Sequence, residues 1–186
     1  MADYAAAGSI GSRIAAARRS RGYRSVAELE SALAGTGISQ AVLANIESGR
    51  KADLDVSQVL NIARVLKVPV SFLLAPMSRP NAPLDLPGLG PMFEGMSSAE
   101  FDAWLSALPS ATYVAGSSDE RVDRAELQAF RELRVLEREL SRLETVQRIE
   151  STHNGELQDG MNRRRAAAEV EIDQLRKFLT SAGWDI

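Results

Sequence analysis

The sequence predicts an all-α protein, with five short helices in its N-terminal part and a helical hairpin at its C-terminal end. Apolar residues recur every three or four positions through most of the chain, which is the spacing of one helix face. The good helix formers alanine, leucine, arginine and glutamate are abundant, and no segment alternates apolar and polar residues as a strand does. The length of 186 residues suits one large domain or a small domain with an extension.

The first two helices are predicted over Ile10–Ser20 and Ser25–Leu33, and the second begins at a capping serine. Arg13, Arg18 and Arg19 are expected to point largely outward from the first helix. The apolar positions of the two helices, which we expect to face the core, are Ile10, Ile14, Val26, Leu29 and Leu33.

Three further helices complete the N-terminal part. Ser39 is placed to cap the third helix, which ends at Gly49. The fourth is predicted over Val56–Leu66, and a short fifth begins near Pro69, because proline is favoured in a first helical turn. Their expected core positions are Val42, Leu43, Ile46, Val59, Leu60, Ala63 and Leu66.

A proline-rich segment follows. Five prolines lie within residues 75–91, a spacing that forbids helix and favours extended chain, so residues 76–97 are predicted to form a semi-rigid linker. Ser97 or Ser98 then caps a short amphipathic helix that stops at Pro109. The apolar face of this helix consists of Phe101, Trp104, Leu105 and Leu108.

Residues 98–186 are predicted to form a helical oligomerisation or interaction region. Two apolar stripes with coiled-coil spacing flank a turn at residues 152–160, which predicts two antiparallel helices, the second beginning at about Met161. The hairpin either folds on itself or pairs with a second copy, and we expect a homodimer because three aromatic residues add apolar surface that a hairpin cannot hide. The stripes are Ala129, Leu133, Leu136, Leu140 and Leu143, then Ala168, Ile172, Leu175, Leu179 and Ala182, and the aromatic residues are Phe130, Phe178 and Trp184.

Charge is distributed unevenly along the chain. The net charge is −3, yet residues 1–75 carry nine basic residues against six acidic ones. The basic excess therefore lies in the N-terminal part, where it can face a polyanion.

Several classes of function are excluded by composition. The chain has no cysteine, which removes disulfides, thiol catalysis and thiolate zinc sites, and its single histidine, His153, is assigned no role. No nucleophile–base pair, metal cluster or phosphate loop can be assembled, so we expect neither an enzyme nor a cofactor. No apolar run is long enough for a membrane span, and the expected location is the cytoplasm.

The third helix carries a face suited to the major groove of DNA. Gln40 and Asn45 can donate and accept hydrogen bonds at once, which matches adenine N6 and N7. Ala41 and Ala44 can contact a thymine methyl group, and no long charged side chain lies on this face. Ser39 stands at the helix start, where backbone N–H groups can meet a phosphate.

Charged residues outside this face have separate expected roles. Glu47 is expected to make a structural pair or a cap, and the basic cluster 163–165 to form a solvated face balanced by acids such as Glu169, with extra DNA contacts as the alternative. The residues expected to bind phosphates are Arg13, Arg18, Arg50 and Lys51.

The stretch ISQAVLANIESGRK, followed by VLNIARVLKVPVSFLL, resembles the helix-turn-helix of the Xre family of Cro/cI-type repressors. The resemblance covers residues 8–75, about two fifths of the chain. It is carried by Ser39, Gln40, Leu43, Ile46, Glu47 and Gly49, then by Ala63, Leu66, Val68 and Leu73.

This resemblance implies a five-helix, lambda-repressor-like DNA-binding domain in residues 1–75, whose third helix enters the major groove. Position by position, it places Ser39, Gln40, Ala41 and Asn45 against bases or nearby phosphates. Two departures stand out. Val26 occupies a position where the family often has a glutamine that contacts phosphate, and the turn before the third helix is longer than usual.

The function predicted from these features is sequence-specific transcriptional repression by occupancy of a double-stranded DNA operator in a bacterial nucleoid, with phage or prophage immunity as one such role. The alternative is an antitoxin-type regulator whose C-terminal region binds a toxin; an anti-repressor is another partner of this kind. A scaffold protein is the third interpretation. A self-cleaving peptidase half is not expected, because it requires strands that residues 98–186 do not predict.

Overall fold

The computed structural model describes residue 5 and residues 7–109, 112–150 and 155–186. These residues form eight α-helices and no β-strand, which confirms the predicted all-α fold. The helices are α1 Ile10–Ser20, α2 Val26–Ala32, α3 Gln40–Glu47, α4 Val56–Leu66, α5 Val70–Leu74, α6 Ser98–Ser106, α7 Ser118–Glu150 and α8 Gly155–Ser181.

The chain divides into two compact units. The first contains the described residues up to Ser106 together with residues 112–113, and therefore holds α1 to α6. The second contains residues 107–109 and 114–186, and therefore holds α7 and α8.

A single apolar cluster joins α1 to α5. The predicted core positions on α1, α2 and α3 are buried or partly buried, as the helical spacing indicated. On α4 one prediction is wrong, because Leu60 is 50% exposed and Ile62 is fully buried in its place. The reason is the helix period: Ile62 shares a face with Val59, Ala63 and Leu66, whereas Leu60 lies outside it. The fully buried members of the cluster are Ile14, Ala17, Leu29, Leu43, Ile46, Ile62, Leu66 and Leu73.

Each of the first three helices is capped at its start by a serine hydroxyl. The Ser25 hydroxyl accepts a hydrogen bond from the Glu28 N–H, and the Ser39 hydroxyl accepts one from the Val42 N–H, so both predicted caps are confirmed. Each bond satisfies one of the backbone donors that a helix start leaves unpaired.

Gly11 lets α1 and α3 approach closely. A Cβ atom at this position would lie well inside contact distance of the Ile46 carbonyl oxygen, which is backbone and cannot move aside alone. Gly11→Ala is therefore expected to lower the free energy of unfolding by about 3 kcal/mol, because α1 and α3 must separate. Urea unfolding measures the loss. The matched control is Gly8→Ala, at an exposed residue with open space around it, and an equal effect of the two changes would contradict this packing.

Residues 76–97, predicted to form a linker, instead pack as part of the first unit. The segment is not the extended chain that the prolines predicted: it contains several turns and a short 3-10 helix at Pro91–Phe93. It folds back on itself, because the Leu84 N–H donates to the Met96 carbonyl at 3.1 Å and the Ser98 N–H donates to the Ala82 carbonyl at 2.8 Å. Leu86 packs against the main cluster. Backbone pairing and apolar contacts thus make this segment part of a folded unit that extends past residue 75.

The helix α6 begins with a reciprocal cap. The Ser97 N–H donates to Glu100 Oε2 at 2.7 Å and the Glu100 N–H donates to the Ser97 hydroxyl, which confirms Ser97 as one of the two predicted caps. The hydrogen bond from the Ser97 backbone lowers the pKa of Glu100. The predicted apolar face is only partly correct, because Phe101 and Ala103 are buried whereas Trp104, Leu105 and Leu108 remain exposed.

The second unit is an antiparallel hairpin of α7 and α8, as predicted. The helix α8 begins at Gly155, so the turn predicted over residues 152–160 is too long; residues 151–154, including His153, lie outside the described residues. The Trp184 ring stacks on Phe130 at 5.2 Å, and its indole N–H donates to Glu126 at 2.8 Å. The buried or partly buried residues of the hairpin core are Ala129, Phe130, Leu133, Leu136, Leu140, Ile172, Leu175, Leu179 and Trp184.

Candidate nucleic-acid interface

The helix α3 has one buried face and one face open to solvent. Leu43 and Ile46 are fully buried, and they fix the rotation of the helix about its axis. The opposite face carries the five residues that the sequence analysis assigned to bases. Ser39, Gln40 and Ala41 are exposed, and Ala44 and Asn45 are half-buried.

Two helices hold α3 in place. The helix packs against α1, at the close approach of Gly11, and against α2. Thr36 orders the turn before α3, because its hydroxyl donates to the Leu33 carbonyl at 2.7 Å and accepts from the Ile38 N–H. The position and rotation of α3 are therefore fixed by its contacts with the rest of the unit, and its exposed face is held in one orientation.

The C-terminal end of α3 is closed by a tight turn. Gly49 adopts a positive φ of 76°, which is the usual way to end a helix, and reverses the chain. The Lys51 N–H then donates to the Asn45 carbonyl oxygen at 2.9 Å, and the Arg50 Nε–H donates to Asn45 Oδ1 at 3.0 Å. Arg50 is exposed and Lys51 is half-buried, so both predicted phosphate-binding residues stand beside the last turn of α3.

Arg18 does not have the position predicted for it. Its side chain is buried, and its Nε and Nη2 donate to the two carboxylate oxygens of Glu47 at 2.7 and 3.0 Å. The third donor, Nη1, bonds to the Tyr23 carbonyl at 2.8 Å. The hydrogen bond to Glu47 raises the pKa of Arg18. Arg18 therefore clamps α1 to the end of α3, and the structural pair expected for Glu47 is confirmed.

Arg13 is also placed differently from the prediction, because its side chain is fully buried. Its Nη1 and Nη2 donate to Asp85 at 2.6 and 2.7 Å. The remaining bonds run to backbone carbonyls of Leu73, Leu74 and Ala7. A guanidinium held by three carbonyls and a carboxylate inside the unit has no route to a DNA phosphate.

The sequence did indicate that both arginine side chains would be buried. Arg13 and Arg18 recur at helical spacing with Ile14 and Ala17, so they belong to the inward face of α1. A third arginine that the sequence analysis left without a role, Arg21, donates to the Leu66 carbonyl at 3.0 Å and so satisfies the end of α4. Arginine was assigned outward by its residue type, although its position on the helix indicated the opposite.

Breaking the Arg18–Glu47 pair tests this clamp. Glu47→Gln is expected to lower the free energy of unfolding by about 2–3 kcal/mol, because it leaves a largely buried guanidinium without its counter-charge. Chemical denaturation of the full chain measures the change. Asp53→Asn removes the same charge at an exposed residue and should change stability by less than about 0.5 kcal/mol. Equal losses in the two variants would contradict a structural role for the pair.

In the basic cluster on α8, Arg165 is balanced by acids of the hairpin, as expected. Arg165 pairs with Glu169 at 2.8 Å and with Glu144 of α7 at 3.6 Å, and the hydrogen bond to Glu169 raises the pKa of Arg165. Arg164 is exposed. These contacts give Arg165 structural partners within the hairpin.

Within the described part of the chain, no group of three or more His, Asp or Glu side chains is placed to hold a metal ion. None of the described helices is both long and apolar enough to cross a membrane. Comparisons with protein-family models, with curated proteins and with solved structures found no match.

Proposed function

We propose that this chain is a sequence-specific DNA-binding transcriptional repressor, and that its first unit is a lambda-repressor-like domain whose α3 enters the major groove. The observation that carries the proposal is the exposed face of α3, which presents the amide of Gln40 beside small side chains. Arg50 and Lys51 lie next to the same helix, at its C-terminal end. Repression follows from occupying an operator, and requires no catalysis and no cofactor.

The shape of this face supports entry into the groove. The major groove of B-DNA is about 12 Å wide and admits an α-helix. Ala41 and Ala44 carry only a methyl group, so the backbone of α3 can approach the base edges closely. The core of the unit lies behind the helix, at Leu43 and Ile46, and the front is left for a partner.

The charge of the segment that carries α1 to α5 also supports a polyanionic partner. Once the internal Arg18–Glu47 and Arg13–Asp85 pairs are set aside, residues 7–75 retain seven basic residues and four acidic ones. The excess of positive charge therefore lies on the remaining residues, where it can attract phosphates. The remaining basic residues are Arg19, Arg21, Arg24, Arg50, Lys51, Arg64 and Lys67.

The second unit is proposed to pair two copies of the chain. The hairpin hides most of its stripe residues, yet Phe178 is 45% exposed and Val135 and Val170 are exposed by more than half. Helix-turn-helix proteins commonly bind two half-sites as dimers, and a helical pair is a simple way to join two copies. A role in phage or prophage immunity and a location at the bacterial nucleoid are consistent with a repressor of this kind and belong to the same proposal.

Selection from a random pool of duplex DNA tests this function. The full chain should enrich an inverted repeat, with each half read by one copy. Enrichment of a single asymmetric site would retain sequence-specific binding and overturn the dimer. Enrichment of no sequence would overturn the repressor and favour the antitoxin-type interpretation, in which co-purification of a toxin with the chain is the expected finding.

A further inference from the structure

We propose that Arg50 reads a guanine in the major groove, and that Asn45 acts as its positioning residue. This inference rests on the proposed DNA-binding function and specifies what α3 recognises. The sequence predicted that Arg50 binds a phosphate, and the inference gives it a base contact instead. The sequence predicted that Asn45 contacts a base, and the inference gives it the role of holding the Arg50 side chain.

The first step of the argument is the path of the chain after α3. Gly49 turns the backbone at its positive φ of 76°, and the Lys51 N–H bonds to the Asn45 carbonyl at 2.9 Å. This closure brings the chain back alongside the last turn of the helix. Arg50 is thereby held beside α3 by backbone geometry and not by the chance position of a long side chain.

The second step is the bond between the two side chains. Arg50 Nε donates to Asn45 Oδ1 at 3.0 Å. An arginine that reaches bases from a loop must order its flexible side chain on binding, at a cost in entropy. The Asn45 amide fixes part of that side chain in advance. Since Asn45 follows Ala41 by one helical turn on the exposed face, the tie holds Arg50 on the side of α3 proposed to face the groove.

The third step is the hydrogen-bonding capacity that remains. Asparagine reads adenine by accepting at Oδ1 from N6 and donating to N7, and here the bond from Arg50 takes one of the two lone pairs of Oδ1 and ties the amide to the arginine. The bond uses only Nε of Arg50, so the two terminal nitrogens retain the fork that matches guanine O6 and N7. The free fork of Arg50 therefore matches a base edge that offers two neighbouring acceptors, which is the edge of guanine.

The test uses a duplex selected by the wild-type chain, with each G·C pair replaced in turn by A·T. For wild type, one replacement should weaken binding by about tenfold to a hundredfold, the usual effect of losing one bidentate arginine–guanine contact. The Arg50→Ala variant should bind the original duplex and the duplex with that G·C pair replaced equally well. The ratio of the two affinities is the readout, because a purely structural or phosphate role does not change it.

Two asparagine variants separate positioning from direct reading. Asn45→Asp keeps an acceptor for Arg50 and should preserve the guanine preference, although its charge weakens binding to every duplex. Asn45→Ala removes the acceptor and should reduce the preference. If Asn45 read a base itself, both variants would lose the preference at the base pair that Asn45 contacts and would keep the guanine preference of Arg50.

The outcomes distinguish this inference from the function on which it rests. Uniform weakening by Arg50→Ala across all duplexes, with every base preference intact, would assign Arg50 to a phosphate and overturn the inference while sparing the repressor. Failure of the wild-type chain to select any duplex would overturn both.

Discussion

Asp85→Ala is expected to lower the free energy of unfolding of the first unit by about 3 kcal/mol or more. The change removes the only carboxylate bonded to the fully buried Arg13 side chain among the described residues, at 2.6 and 2.7 Å. A buried guanidinium without a counter-charge is strongly destabilising, whereas an exposed pair contributes little. The Asp85 side chain is 25% exposed, so solvent can reach the site and offsets part of the lost stability. We therefore expect a loss close to about 3 kcal/mol.

Urea unfolding of the full chain measures this change, with separate signals that report the unfolding of each unit. Glu94→Ala is the matched control, since it removes an exposed acid from the same segment. If Asp85→Ala and Glu94→Ala had the same small effect, residues 76–97 would be the linker that their prolines suggested.

Ala41→Glu is expected to weaken DNA binding by about a hundredfold or more while leaving the fold intact. The substitution places a long acidic side chain on the exposed face of α3, where it meets both the groove floor and the phosphates with the wrong charge. Glutamate is a good helix former and is favourable in the first turn of a helix, so the stability of α3 should not fall. Loss of binding without loss of stability would identify this face directly.

Binding to the selected duplex and thermal unfolding are measured together for Ala41→Glu and for the control Ala32→Glu. Ala32 is the exposed last residue of α2, so the control makes the same chemical change away from the proposed interface. It should retain nearly all of the affinity. Wild-type affinity in Ala41→Glu would contradict the placement of α3 in the groove.

Local signals in the sequence were sufficient for most of the helices. The helices α1 and α4 begin and end where the apolar spacing placed them, and the Ser25 and Ser39 caps form as predicted. The hairpin stripes of α7 and α8 also pack together as their spacing indicated. The start of α8 was missed because Gly155 and Gly160 suggested a turn, yet a helix tolerates each glycine at a cost of about 1 kcal/mol.

Contacts between distant residues were harder to predict. Nothing local to Arg13 indicates Asp85, which lies 72 positions away, and nothing in the prolines indicates that residues 76–97 pair with one another and cover a core. The bond between Arg50 and Asn45 was missed for a related reason, since residue types assigned each to DNA separately. A structure was needed to show that the two side chains bond to each other.

The central claim is that α3 reads bases in the major groove, and methylation interference on the selected duplex tests it most directly. Dimethyl sulfate methylates guanine N7 in the major groove and adenine N3 in the minor groove, so one reaction probes both faces of the DNA. The account predicts that N7 methylation at particular guanines of the site prevents binding, while N3 methylation at most adenines is tolerated. Interference by adenine N3 methylation alone, with no effect of methylation at any guanine N7, would contradict the account.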